Sequence, residues 1–564
     1  MELKWKKVCP TDRTILDVLN RNYAGNPKEL ISGPQVIPPS KIKNLVRLAS
    51  GLFNNLHQEI LIVGDYDVDG ITSTAILELL LQYLGASVKH HLPRRFSEGY
   101  GVSTKMLERS NAQVILTVDN GISATEAVEY AKSQGKTVYI LDHHTPKDVL
   151  PPADIIVDPH ISPNENGFVE YCGAGLALKL AEEMLADDPD AAGLLKTMTV
   201  FAAIGTIGDV MPLVGDNRRI VQQGLEIIRK EKKYLTEGLR ATILASGMYA
   251  VTEMDIAFKL APMLNAPGRM HDNGAEASLK QLLEANSYIA KQGAENLALV
   301  NERRKTSVEE ALILCEKAIA DDCLYGDVPL CVYLPGVNEG IVGIVTGKLA
   351  EKYKIPAFVF TDSEESGVLK GSGRSTDDVS LIDVVEAASK HLIRYGGHAG
   401  AAGLSVKKEN FAAMSLKMQE YLSGYEPKSV DQVYYDLEID AESVPAVMKE
   451  LMKYAPYGQG NPAPVFCVKN ITLSPRYGSH FKVMGKNASH LKLFANGFSM
   501  IAFDGAERFH QESDPMRVSV IGTISENVFQ YAKETQIEVK DWQSVANNGV
   551  QSSLLDALRA NGTL

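Results

Sequence analysis

The 564-residue chain is too long for one hydrophobic core, so two to four domains are expected. Its 45% hydrophobic and 23% charged composition is that of a soluble globular protein, and no apolar run approaches the roughly 20 residues that span a bilayer. The opening "MELKWKKVCP" leads into no apolar segment of the kind a secretory signal carries, so a cytoplasmic protein without a membrane partner is expected. The 57 basic and 70 acidic residues give a net charge of −13, which by itself argues against nucleic acid but leaves room for a local basic groove. Six cysteines (Cys9, Cys172, Cys315, Cys323, Cys331 and Cys467) form no C-x-x-C pair, which argues against a zinc ribbon or a disulfide framework.

Residues 1–57 form an N-terminal segment. From 58 to 240, short β-branched runs alternate with amphipathic stretches. "EILIVGD", "ASVKHHL", "AQVILTVD", "KTVYILD" and "ADIIVD" read as strands, and "GITSTAILELLLQYLG" and "SATEAVEYAKSQG" as crossing helices, which predicts a parallel sheet covered on both faces. Residues 241–322 read as a helical connector ending in a long polar helix through "ENLALVNERRKTSVEEALILCEKAIA". A second α/β unit is expected over 323–428, with "PLCVYLPG", "GIVGIVTGKLAEKY" and "PAFVFT", and it ends in the glycine-dense "RYGGHAGAAGLSV". Short strands separated by turn residues over 429–545 predict a small barrel, and 546–564 reads as a tail.

Asp65, Asp67 and Asp69 alternate along "GDYDVDG". D-x-D-x-D-G also opens an EF-hand loop, but the twelfth position holds Ile76 where a bidentate glutamate is required, and the segment follows a strand rather than a helix. The calcium-loop reading fails on both counts. Sheet topology offers another reading, because ligands of open α/β sheets gather beyond the carboxyl ends of the strands. Asp65 and Asp67 leave one strand, Asp119 in "TVDNGIS" a second, and Asp142, His143 and His144 in "YILDHHTP" a third. Asp209 in "IGTIGDVMPL" adds a fourth contribution. Several carboxylates with one or two imidazoles suit Mn²⁺ or Mg²⁺, and the carboxylate number suggests two ions, the recurrent arrangement for phosphoryl hydrolysis.

"GDYDVDG", "VDNGIS", "LDHHTP" and "IGDVMPL" resemble the four signature motifs of the DHH phosphoesterase superfamily. "KGSGRS" and "YGGHAGAAG" resemble the DHH-associated domain. "RRFSEGYG", "YCGAG", "LNAPGR" and "PYGQGNPAPVF" narrow the resemblance to the RecJ family of single-strand-specific exonucleases, over about residues 58–545. The fold class implied is α/β: a parallel-sheet DHH domain, a long helix, an α/β DHH-associated domain and a C-terminal OB-like β-barrel.

The resemblance implies that Asp65, Asp67, Asp119, His143 and Asp209 ligate two divalent ions, Mn²⁺ or Mg²⁺, with Asp119 as the bridge. It places His144 on the scissile phosphate, Asp69 and Asp142 as supports behind the ligands, and Arg95, Arg269, Gly373, Arg374, Gly397 and His398 on nucleic-acid phosphates. The implied activity is 5′-to-3′ hydrolysis of single-stranded DNA to mononucleotides in repair and recombination. The alternative is a DHH phosphodiesterase of short oligonucleotides or cyclic dinucleotides. Single-stranded DNA is the implied partner, with a helicase and a single-strand-binding protein around it, and a monomer is expected.

Arginine is a bidentate reader of phosphate, and glycine segments let backbone N–H groups approach an anion. Each glycine segment alone reads as a tight turn; beside a metal site in the same chain both read as phosphate binders. In the C-terminal unit His480, Lys482, Lys486, His490 and Lys492 are candidate contacts to a single strand, against the plainer reading of solvated strand faces. The chain departs from the family at Asn338, where "GVNEGIV" lacks the usual histidine.

Overall fold

The computed structural model describes residues 3–375, 379–426, 432–476, 478–485, 487–529 and 532–545. The predicted tail at 546–564 and Lys486 lie outside the described residues. After a short first strand, β1 (Lys4–Lys7), and helices that include Leu45–Asn55, the chain builds a five-stranded sheet. Its strands are β2 (Glu59–Val63), β3 (Ser87–His91), β4 (Val114–Val118), β5 (Thr137–Leu141) and β6 (Ile155–Val157). They run parallel in the order β3-β2-β4-β5-β6. The three central strands read as almost unbroken apolar runs because helices cover both faces.

On one face α1 (Val68–Tyr83) and α2 (Gly173–Met184) lie against the sheet, and α3 (Ala192–Gly208) and α4 (Gly215–Lys230) pack behind them in the largest core. The segment Pro189–Gly208 is long and apolar enough to cross a bilayer, contrary to the expectation that no such run exists. Its apolar side chains are buried against α1, α2 and α4, so it is a core helix that is hydrophobic nearly all round.

The connector comprises α5 (Glu237–Ala245), α6 (Ala261–Met270), α7 (Ala275–Leu283) and α8 (Ser287–Asp321). Its first three helices contribute Leu239, Leu264 and Leu279 to the same core, while α8 leads away to the second unit. There β7 (Leu330–Tyr333), α9 (Glu339–Tyr353), β8 (Ala357–Asp362), β9 (Val368–Arg374), β10 (Leu392–Gly397) and β11 (Ala401–Lys407) form a sheet ordered β10-β11-β9-β8-β7. Only β7 and β8 are parallel; the glycine-rich segments form an antiparallel edge.

The C-terminal unit begins at β12 (Gln432–Tyr435), which pairs parallel with β1. It continues through β13 (Leu437–Asp440), β14 (Val465–Thr472), β15 (Phe481–Met484), β16 (His490–Ala495), β17 (Phe498–Ala502), β18 (Arg517–Phe529) and β19 (Ala532–Ser544). These seven strands order as β13-β14-β18-β19-β17-β16-β15, with no ladder joining the two ends among the described residues. Ile15, Val18, Leu19 and Leu30 share the core of this unit, so the first part of the N-terminal segment packs 400 residues along the chain from its own position, while Ile42, Leu45, Leu48 and Leu52 join the core of the first sheet. Trp5 Nε1 fixes that packing with a hydrogen bond to Asp541 Oδ2 at 2.6 Å.

Candidate metal centre and phosphate-gripping residues

Because β2, β4 and β5 are parallel neighbours, their carboxyl ends open on one edge of the sheet, and the acidic loops meet there. Asp65 and Asp67 follow β2. Asp67 N-caps α1, its Oδ1 accepting the backbone N–H groups of Asp69 (3.0 Å) and Gly70 (3.1 Å). Residue 70 must be glycine, because a Cβ there would lie 2.5 Å from the backbone nitrogen of Asp65. Asp119 follows β4 in the left-handed region at φ 60°, a conformation aspartate tolerates better than most residues. Asn120 ties the two strand ends together, its amide donating to the carbonyls of Val63, Gly64 and Val118.

His143 Nε2 lies 3.0 Å from Asp119 Oδ1 and 3.8 Å from both Asp69 Oδ2 and Asp209 Oδ2. Asp209 arrives from the C-terminus of α3. Three overlapping sets each place one ligand atom per residue within 4.8 Å of the others: Asp65, Asp67 and Asp119; Asp69, His143 and Asp209; Asp119, His143 and His144. All five predicted ligands therefore converge, and Asp119 belongs to two of the sets.

Asp69 also belongs to a set, although its two oxygens already accept the N–H groups of Gly173 (2.6 Å) and Ala174 (2.9 Å) at the start of α2. A side chain at Gly173 would collide with Asp119, at 2.7 Å from its Cβ. Asp142 accepts the backbone N–H groups of Ile122, His143 and His144 and lies 2.8 Å from His144 Nδ1. That orients the half-exposed His144 ring.

The electrostatics are those of a cation cage. Burial, then repulsion from Asp67, holds the Asp65 carboxyl well above its ordinary range. Burial followed by Asp69, Asp67, Asp65 and Asp209 does the same at Asp119. Asp209 is pushed up to about 8 by burial and then by Asp69 and Asp67. Burial depresses His143, which keeps the imidazole neutral and able to ligate. His144 is opposite: against the burial that would lower it, the hydrogen bond and charge of Asp142 raise it to about 9. Asp65 Oδ1 is buried with no hydrogen-bond partner among the described residues. An orphaned carboxylate oxygen among like charges, with oxygen and imidazole donors and no thiolate, fits hard or borderline divalent cations such as Mg²⁺ and Mn²⁺.

Two predicted phosphate readers border this cage. Arg95 stacks on Tyr66, its guanidinium carbon 3.7 Å from the ring centroid, and Nε donates to Gly268 O at 3.0 Å. Its charge relieves part of the repulsion at Asp65. Arg269, pushed down to about 10 by burial and then by Arg95, donates to Gly340 O (3.3 Å) at the start of α9. Asn338 caps this helix by accepting the Gly340 N–H at 2.7 Å, which gives the departure from the family histidine a local structural role.

Arg374 donates to Ser372 Oγ and Gly373 O, and a Cβ at Gly343 would lie 3.1 Å from its Nη2. Arg269 and Arg374 thus meet α9 three residues apart, on one helix face. His398 lies across β11 from Arg374, its backbone N–H bonded to Ala401 O and its Nδ1 accepting the Gly400 N–H. Gly397 pairs with Ala402 at φ 147°. No contact joins Arg374 or His398 to the aspartates among the described residues.

The C-terminal candidates are less available than predicted. Lys492 is paired with Glu534 at 2.9 Å and His490 with Asp504 at 3.3 Å, while His480 Nε2 is buried. Lys482 is exposed on β15. Tyr100 was missed. Its Oη reaches His144 Nε2 (3.0 Å) and Asp119 O (3.2 Å), and only the flanking glycines of "SEGYG" hinted at a turn that could place it there.

Residues 59–206 match the DHH family N-terminal domain, 327–424 the DHHA1 domain and 406–541 the RecJ OB domain. The chain is 32% identical over 525 residues to the single-stranded-DNA-specific exonuclease RecJ of Bacillus subtilis, covering 89% of this chain and 64% of that protein. It is 33% identical over 465 residues to RecJ of Haemophilus influenzae, covering 77% of this chain and 78% of that one. The crystal structure of Thermus thermophilus RecJ in complex with Mn²⁺ superposes with a TM-score of 0.75 at 27% identity, covering 96% of this chain and 80% of that one. The Mg²⁺ complex of the same protein gives 0.70 at 26% identity, covering 96% and 79%. The three matched domains, in the same order as the three larger sheets, and the relatives identical at more than 30% of positions place this chain in the RecJ family of single-stranded-DNA-specific exonucleases.

Proposed function

We propose that the chain hydrolyses phosphodiester bonds of single-stranded DNA from the 5′ end, releasing mononucleotides during repair and recombination. In this reading Asp65, Asp67, Asp119, His143 and Asp209 would hold two divalent ions, Mn²⁺ or Mg²⁺. The observation that carries it is the convergence of five acidic and imidazole side chains in overlapping sets, among which Asp65 Oδ1 is buried with no hydrogen-bond partner among the described residues. When bound, the ions would supply Lewis-acid stabilisation of the phosphate and an activated water.

The chain's own residues supply position and charge. Asp142 holds the His144 Nδ1–H, so Nε2 is the edge that meets a phosphate oxygen once Tyr100 yields it. Asp69, anchored by two backbone N–H groups, holds α2 against the cage. Arg95 and Arg269 supply fixed positive charge beside the carboxylates for the neighbouring phosphates, with Gly373, Arg374, Gly397 and His398 gripping the strand farther along. Single-stranded DNA is the partner that this reading requires. A helicase and a single-strand-binding protein that deliver it, a monomeric state and a cytoplasmic location belong to the same reading.

The test is cleavage of a long single strand labelled at either end, in Mn²⁺, beside a linear and a cyclic dinucleotide. Mononucleotides released from the 5′ end, and lost in Asp119→Ala, support the proposal. Turnover of dinucleotides alone would replace it with the short-substrate activity.

A further inference from the structure

A cavity of about 300 Å³ lies far from the acidic cage, between the C-terminal end of α4, helix α5 and the β18–β19 hairpin. Asp209 stands just before the start of α4, and the cavity begins at Ile228, about 20 Å along that helix. Arg229, Lys232, Arg240 and Lys533 bring four positive charges to its walls, and Leu244 and Tyr249 form part of its apolar lining.

A plain account exists for part of this charge, since cations at the end of α4 complement its dipole. It does not account for Arg240 on the next helix, nor for Lys533, which comes from the C-terminal unit. Lys533 is paired with Glu526 and Arg240 with Glu237, but neither Arg229 nor Lys232 has a carboxylate within ion-pair distance among the described residues. Arg240 Nε is buried without a hydrogen-bond partner among the described residues. In a chain of net charge −13, four convergent cations around a half-apolar cavity are a local reversal of the global balance.

We propose that this cavity is a second nucleotide site, taking a phosphate on Arg229, Lys232 and Lys533 and a base against the apolar wall of Leu244 and Tyr249. Guanidinium groups match phosphate oxygens in bidentate geometry, and the volume is at the lower end of the range that buries a small ligand. The choice of a nucleotide over another amphiphilic anion rests on the nuclease reading. The nucleotide comes either from the released product or from a distant part of the bound strand.

The experiment titrates deoxyadenosine monophosphate into the full chain in chelator, where no cleavage occurs, and repeats it with the Lys232→Gln/Lys533→Gln variant. Both lysines are exposed and neither belongs to the cage. Binding that weakens by about tenfold in the variant is the expected result. Absence of binding at millimolar nucleotide, or equal affinity in the variant, overturns the proposal.

Two single strands then separate the sources, one shorter than that distance of about 20 Å along α4 and one several times longer. Loss of affinity for the long strand alone assigns the site to the substrate strand. Unchanged affinity for both, with weaker mononucleotide binding, assigns it to product. An acidic peptide that binds the wild type and not the variant, where the mononucleotide does not bind, makes the cavity a protein-docking site and ends the nucleotide assignment. Cleavage in Mn²⁺ is scored separately, so loss of the nuclease reading and loss of this site are distinct results.

Discussion

The Tyr100 hydroxyl bridges His144 Nε2, at 3.0 Å, and the backbone carbonyl of Asp119, at 3.2 Å. His144 is therefore held from both sides, by Asp142 at Nδ1 and by Tyr100 at Nε2. With the His144 ring raised to about 9, it is protonated at neutral pH, donates from both nitrogens, and leaves the Tyr100 O–H to donate to Asp119 O. Tyr100→Phe removes this brace and no carboxylate. We expect kcat on single-stranded DNA to fall about fivefold, the value of one hydrogen bond of about 1 kcal/mol. Mn²⁺ affinity, read by thermal shift, should stay unchanged. A drop in metal affinity as large as the drop in rate would place Tyr100 in the support of the cage itself.

The cage should destabilise the metal-free fold. Asp65, Asp119 and Asp209 are all raised by burial and mutual repulsion, so each binds protons more tightly folded than unfolded. For Asp209, folded stability falls as pH rises from its ordinary value of 3.8 to about 8, and the full penalty is present above that. In chelator, Asp119→Asn should raise the melting temperature at pH 8.5 and do less at pH 5. In Mn²⁺ the order should invert, because the wild type gains the stabilisation of bound metal and the variant does not. A chelated variant that melts below the wild type at pH 8.5 contradicts this account.

The cage was legible in the sequence because its geometry follows from two simple rules. Parallel strands place their carboxyl ends together, and loops at those ends carried Asp65, Asp67, Asp119, His143 and His144 in short motifs. What joined them was less legible. Nothing local to Tyr100 indicates that its loop folds over a histidine 44 residues away, and nothing local to Ile15 or Leu19 indicates a core built mainly from residues beyond 430. Lys492 and His490 read as free cations because their partners lie elsewhere in the chain, Glu534 on β19 and Asp504 in the turn after β17. Side-chain type and period report which face is buried; they do not report what crosses over to meet it.

A pH-sensitive brace lies beside the arginine loop. His90 on β3 sits between Glu78 of α1 (2.8 Å) and Glu276 of α7 (3.1 Å), and its bonds to Glu276 and then Glu78 raise it from 6.5 to about 9. Near Glu276, Asp272 accepts the N–H groups of Phe96 and Ser97, the two residues after Arg95. Because the folded pKa is the higher, the stabilisation is complete below about 6.5 and is lost as pH rises through about 9. His90→Gln should lower the melting temperature at pH 6.5 and have little effect at pH 10. An equal loss at both pH values would mean that packing rather than charge holds the three residues together.

Arg218 joins the catalytic core to the C-terminal unit through backbone alone. Its guanidinium is buried and donates to the carbonyls of Tyr454 (2.8 Å), Ala455 (3.1 Å) and Pro456 (3.1 Å), while Nε has no partner among the described residues. A buried charge paired only with dipoles is an expensive connector, and burial lowers its pKa accordingly. Each carbonyl keeps a second donor without it: Gln222 for Ala455, and Asn461 for both Tyr454 and Pro456. Arg218→Met preserves much of the volume and leaves no acceptor stranded, so it should cost only about 1–2 kcal/mol. Arg218→Ala adds a cavity and should cost above about 3 kcal/mol. Denaturant midpoints distinguish the two, and early proteolytic nicking near residue 455 should accompany only the alanine variant. If methionine destabilises as much as alanine, the charge itself holds the units together and the shared carbonyl donors do not compensate for it.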